Sequence, residues 1–134
     1  MLEVNKDLIV DSLRQDMRKP EFETIITEIE FVKNDIRGAL SCIKSWMKPE
    51  SASKNLTTIF DDTFVQAEPY GVVLIIGPWN YPVQLTLCPL IGAISAGNCA
   101  IIKPSELTPA TTKTLTELLP RYIDKVRPKN NFAI

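Results

Sequence analysis

From Pro69 to Ile102 the chain runs for 34 residues without a charged side chain. Such a stretch must be buried in a bilayer or in a protein core, since about 18 or more apolar residues in a row can span a membrane. Pro69, Pro78, Pro82 and Pro89 interrupt it, as do Gly71, Gly77, Gly92 and Gly97, and Asn80, Gln84 and Asn98 are interspersed. Only short apolar runs remain, which favours a buried core over a spanning helix. The flanks are charged and opposite in sign. Residues 1–68 hold nine Lys or Arg against 13 Asp or Glu, and residues 103–134 hold six against three. Over all 134 residues the net charge is −1, without the strong basic excess an electrostatic nucleic-acid binder needs, so no nucleic-acid partner is expected. There is no histidine, which removes Ser-His-Asp and Cys-His catalysis and every histidine metal site. Cys42, Cys88 and Cys99 are scattered, with no C-x-x-C. They fit reduced thiols of a cytoplasmic protein and no metal site. The start, Met1 to Asp7, has neither a basic nor an apolar leader region, and no membrane anchor is seen.

Coarse structure follows from periodicity. Residues 3–17 read as a helix with Ile9, Val10, Leu13 and Met17 on one face, stopped at Lys19-Pro20. Phe22, Ile25, Ile29, Val32, Ile36, Leu40, Ile43 and Met47 recur at spacings of three and four. They predict one helix from Pro20 to Met47, about 40 Å long, with an apolar stripe longer than a short chain can cover by itself. Pro20 suits its first turn, and Pro49 stops it. Residues 48–55 read as turn, and Leu56–Phe60 and Thr63–Ala67 as two short strands. Val72–Ile76, five apolar residues, reads as a strand buried on both faces of a parallel sheet. Gly77 to Pro82 is a rigid turn at its carboxyl end. Residues 83–96 read as a helix kinked at Pro89 and ended by Gly97-Asn98, and Cys99–Ile102 as a second buried strand. A further helix has Thr108 as N-cap, Pro109 as first residue and Leu115, Leu118, Leu119 and Tyr122 on its apolar face.

The expected fold class is therefore α/β: a partial Rossmann-like βαβα unit, with a right-handed crossover, preceded by long N-terminal helices and short strands. The division is a helical segment over 1–55 and a βαβ segment over 56–134, together one incomplete domain. Two parallel strands with one crossover cannot cover both sheet faces. Apolar patches are expected to stay exposed, with poor solubility or oligomerisation as the result.

Ligands of open α/β sheets bind beyond the carboxyl ends of the strands. Two loops hold that place here. One presents Asn80, whose amide donates two hydrogen bonds; the other presents Lys103 and Glu106. Ions that first appear at a strand's end suggest a polar-ligand site. On spacing alone the alternative stays open that Lys103 snorkels to water and Glu106 merely caps the next helix. Neither G-x-G-x-x-G nor a Walker loop is present.

Glu68-Pro69-Tyr70-Gly71-Val72-Val73-Leu74-Ile75-Ile76-Gly77-Pro78-Trp79-Asn80-Tyr81-Pro82 resembles the E-P-x-G-V-V-x-x-I-x-P-W-N-[FY]-P segment of aldehyde dehydrogenases. Ala96-Gly97-Asn98 with Lys103-Pro104-Ser105-Glu106 resembles that family's second cofactor signature at matching distance. Ser12 to Phe22, the long helix after it and the Trp-Asn-Tyr-Pro variant are similar to the class-3, fatty-aldehyde branch. The likeness covers roughly residues 5–124. It implies NAD(P)-dependent oxidation of aldehydes to carboxylic acids. It makes Asn80 the amide that stabilises the aldehyde oxyanion, worth about 10²–10³ in rate. Lys103 and Glu106 would hold the adenosine ribose hydroxyls, and Ile76, Gly77, Pro78 and Trp79 would line the nicotinamide side of the cofactor. A carboxylate on the ribose favours NAD over NADP.

The resemblance also implies a cysteine nucleophile and a glutamate base, both beyond this chain in the family. Cys42, Cys88 and Cys99 do not match that cysteine. The chain is expected to begin within the family's second helix and to depart from the family after Asp124, as a truncated product or an alternative ending. Turnover by this chain alone is thus not expected, and NAD is expected to bind weakly. The partners implied are an aldehyde substrate and other aldehyde dehydrogenase subunits, in homo- or hetero-oligomers. An alternative is a module that docks on full-length subunits through its open stripe and strand edges and interferes with them.

Overall fold

The structure is a computed structural model that describes residues 1–123; the expected departure after Asp124 lies outside them. The elements are α1 (Lys6–Met17), α2 (Glu21–Glu23), a π-helix (Thr24–Glu30), α3 (Phe31–Trp46), β1 (Glu50–Ser51), β2 (Phe64–Val65), β3 (Val72–Ile76), α4 (Gln84–Ser95), β4 (Cys99–Lys103) and α5 (Pro109–Tyr122). The βαβα unit forms as its hydrophobic pattern predicts. β3 and β4 pair in parallel, from Val72 opposite Cys99 to Ile76 opposite Lys103, with α4 as the crossover.

Gly97, at φ 76°, ends α4, and the Asn98 N–H reaches back to the Ala93 carbonyl. A left-handed residue followed by such a bond closes a helix's orphan carbonyls, and glycine adopts it without strain. Asn98 then turns inward and its side-chain oxygen accepts the Gly71 N–H at 3.0 Å, tying the beginnings of β3 and β4 together.

One hydrophobic core joins the N-terminal helices to this unit. Ile9 and Leu13 of α1, Ile29 and Val32 of the long helix, Ile75, Leu87, Ala100 and Leu115 belong to it. Two expectations about burial change. Val72, Leu74 and Ile76 are exposed while Ile75 is buried, so β3 is covered on one face. Likewise the predicted stripe is buried only at Ile29 and Val32, with Ile25 half-buried, whereas Phe22, Ile36, Leu40 and Met47 are exposed. Ile36, Leu40 and Ile43 border an apolar groove of about 580 Å³ against α4.

The long helix also departs from uniform α geometry. Its π-helical stretch bonds i to i+5, as in the Phe31 N–H to the Ile26 carbonyl. Within this wider turn Thr24 and Glu28 are buried beside Ile29. Pro20 is the N-cap, not part of the first turn.

The two short strands are corrected as well. Leu56–Phe60 is turn, not strand. Asn55 Oδ1 accepts the Thr57 and Thr58 N–H groups and both threonine hydroxyls, an Asx arrangement that competes with strand pairing. Phe64–Val65 is a strand as expected, but its antiparallel partner is Glu50–Ser51, inside the segment read as turn.

Both βαβα helices start without a local side-chain cap. Thr108 is the N-cap residue of α5, but its hydroxyl bonds the Ser105 carbonyl. The cap comes instead from α1, where Asp16 accepts the Ala110 N–H at 3.0 Å and the Thr111 N–H at 2.7 Å. A carboxylate there satisfies orphan donors and meets the positive end of the dipole. Asp16→Ala is expected to cost about 1–2 kcal/mol in urea unfolding. Asp16→Asn, which keeps one good acceptor, should cost less. An alanine variant as stable as the wild type would show that the cap contributes nothing.

Candidate functional site

The parallel register sets Ile76 opposite Lys103, so the loops after β3 and β4 leave the same edge of the sheet. The Gly77 N–H donates to the Lys103 carbonyl at 2.9 Å, continuing the ladder one step into the loops. Gly77 is buried, and a Cβ built on it would collide with Thr86 Oγ1 of α4. Only a residue without a side chain lets the loop pass this close to the helix. Pro78 is half-buried, while Ile76, Trp79 and Asn80 face outward. The Asn80 side chain makes no hydrogen bond among the described residues, which leaves its amide able to donate at this edge.

The second loop is held from below. Ser105 is buried, its carbonyl accepts the Thr108 and Thr112 hydroxyls, and its own hydroxyl accepts the Leu107 N–H. That anchoring turns Lys103 and Glu106 outward, where Lys103 Nζ meets Glu106 Oε2 at 2.9 Å. Both side chains are mostly exposed. The Glu106 carboxyl is held below the usual carboxylate range, first by a backbone hydrogen bond at Glu106 and then by Lys103. It is therefore ionised at neutral pH. The pair offers an anionic acceptor and a cationic donor side by side.

A third layer was not legible in the sequence. Glu28, at 0% exposure, and Lys19, at 6%, form an ion pair 2.7 Å apart. Glu28 Oε2 accepts the Val83 N–H at 3.0 Å and the Gln84 N–H at 2.8 Å, capping α4. Lys19 Nζ stands 3.9 Å from the centre of the Tyr81 ring. Nothing in the helical pattern around Glu28 marks it as buried. It sits within the π-helical stretch, where Thr24 and Ile29 are buried as well.

The cysteines are poorly placed as nucleophiles. Cys99 is buried in β4. The Cys88 thiol is pushed up to about 11, first by burial and then by Asp35. Cys42 lies on α3, with the Ser41 hydroxyl as its contact. A nucleophilic cysteine needs the opposite environment, one that lowers its pKa. Among the described residues no cluster of three His, Cys, Asp or Glu could hold a metal ion. No helix there is long and apolar enough to cross a membrane.

With this edge defined, comparison with known proteins is direct. The model of the aldehyde dehydrogenase family matches residues 1–123. The chain belongs to the aldehyde dehydrogenase family. It is 49% identical over 124 residues to aldehyde dehydrogenase family 3 member B1 of Bos taurus, covering 92% of this chain and 26% of that protein. It is similar in structure to the Staphylococcus aureus AldH in its substrate-bound state. There the TM-score is 0.90 at 37% identity, over 98% of this chain and 28% of the other. The NADP-dependent glyceraldehyde-3-phosphate dehydrogenase of Bacillus halodurans, complexed with NADP, matches with a TM-score of 0.72 at 26% identity, over 90% of this chain and 25% of the other. The chain thus spans about a quarter of the length of these relatives. The sequence resemblance, its class-3 character and the partial Rossmann-like fold agree with these matches. The comparisons add no support for the docking-module alternative.

Proposed function

We propose that this chain supplies the amino-terminal share of an NAD(P)-dependent aldehyde dehydrogenase site: the oxyanion donor Asn80 and the ribose-binding half of the cofactor pocket. The observation that carries the reading is the common edge, with Gly77 N–H bonded to the Lys103 carbonyl and an outward polar group on each loop. The donor set fits the cofactor. Glu106 can accept from the adenosine ribose hydroxyls and Lys103 can donate to them, while Ile76, Gly77, Pro78 and Trp79 offer backbone and an apolar wall. An ionised Glu106 would repel a 2′-phosphate, which favours NAD over NADP. When bound, NAD supplies a hydride acceptor. The chain's own contribution at the reacting centre is Asn80, a neutral amide aimed at the oxygen on which negative charge grows.

The test is an NMR titration of the ¹⁵N-labelled 134-residue chain with NAD⁺. Shifts are expected at the amides of Gly77, Trp79, Lys103 and Glu106, weakened in Glu106→Gln. Shifts absent at millimolar NAD⁺, or unchanged by Glu106→Gln, would overturn the cofactor assignment. Assayed alone, the chain is expected to form no NADH from aldehyde, because Cys42 and Cys88 lie on helices and Cys99 at the start of β4, none of them in the loops that carry Asn80, Lys103 and Glu106. Aldehyde-dependent NADH formation would contradict that.

A further inference from the structure

Two buried ions stand outside the contacts just proposed. Burying Lys19 and Glu28 gains little stability by itself, since desolvation offsets most of their attraction. What the pair holds is therefore informative. Glu28 fastens the N–H groups of Val83 and Gln84, and Lys19 covers the ring of Tyr81. Between them the two ions thus act on three of the four residues that follow Asn80, namely Tyr81, Val83 and Gln84. On the other side of Asn80, Gly77 is fixed by the Lys103 carbonyl and packed against Thr86. With no hydrogen bond of its own among the described residues, Asn80 takes its position from these neighbours. An oxyanion donor is effective only when it is oriented before the charge develops.

The geometry points to Glu28 and Lys19 as positioning residues for Asn80, a buried charge pair that sets the loop without touching substrate or cofactor. Its relevance to the reaction rests on the reading of Asn80 given above, but the positioning itself is measured with neither ligand present. In the ¹⁵N-labelled 134-residue chain, Glu28→Gln keeps the shape of the side chain and removes its charge. It should speed hydrogen exchange at the Val83 and Gln84 amides tenfold or more. It should also shift or broaden the Asn80 side-chain amide and Trp79 indole signals. Lys19→Met should move the same signals, and Lys19→Arg, which keeps charge and ring contact, should return them towards wild type. Asp16→Ala loosens the comparable cap on α5 and serves as the control. It should lower stability and leave the Asn80 and Trp79 signals in place.

Unmoved Asn80 and Trp79 signals in Glu28→Gln would overturn the inference. So would equal movement in Asp16→Ala, which would mean general loosening only. If Glu28→Gln fails to fold, the comparison of Lys19→Met with Lys19→Arg decides the matter alone. A failed NAD⁺ titration would remove the cofactor assignment and leave these signals intact, so the two readings fail separately.

Discussion

Glu28→Ala is expected to destabilise the chain by about 3–5 kcal/mol. Three groups lose their partner at once. The Lys19 ammonium is left almost wholly buried without a counter-ion, and the Val83 and Gln84 N–H groups lose their acceptor at the start of α4. The uncompensated buried cation is the larger part of that loss, and the two orphaned donors make up the rest. Removing both ions together, as Lys19→Met with Glu28→Leu, should therefore cost less than the two single changes added. The stranded charge disappears, and what remains is the uncapped helix. Urea unfolding of the four proteins gives the cycle directly. A Glu28→Ala loss below about 1 kcal/mol would mean that water already reaches the pair.

Gly77→Ala should cost about 1–3 kcal/mol, from overpacking. The added methyl would collide with Thr86 Oγ1, and Thr86 is fully buried and cannot swing away into solvent. Moving the loop instead would stretch the Gly77 to Lys103 bond that joins the two loops. The prediction has a specific rescue. Thr86 Oγ1 is itself buried with no hydrogen-bond partner among the described residues, so Thr86→Ala gives up little. Once that oxygen is gone, the nearest neighbours of the new methyl are Thr86 Cβ at 3.4 Å and Pro104 Cα at 3.7 Å, ordinary contacts. Gly77→Ala with Thr86→Ala should then recover most of the lost stability. A double variant as unstable as Gly77→Ala would place the strain elsewhere.

The chemistry of the site follows the same division as its stability. Asn80, Lys103 and Glu106 could be singled out because each lies at or just past the end of a hydrophobic strand, in a region otherwise free of ions. The structure places them at one edge, with Lys103 and Glu106 side by side. They pair with each other, and the capping of α5 falls to Asp16. The groups that hold this edge in place are another matter. Glu28 reaches residues 55 and 56 positions away, and Asp16 reaches residues 94 and 95 positions away. An acidic residue on an amphipathic helix reads as part of its solvated face. Nothing local distinguishes the one that turns inward.

What the sequence by itself determined was whatever depends on near neighbours. The β-branched run made β3, the three-and-four spacing made the helices, and proline and glycine set their ends, because propensity and period act over a few residues. It also carried the family, through two motifs at a matching distance. Tertiary structure alone decided which helix caps come from afar, which carboxylate is buried, and which half of the long apolar stripe is covered. Those outcomes depend on how separate elements pack and on where a π-turn rotates a face, and neither is encoded within any short window of the chain.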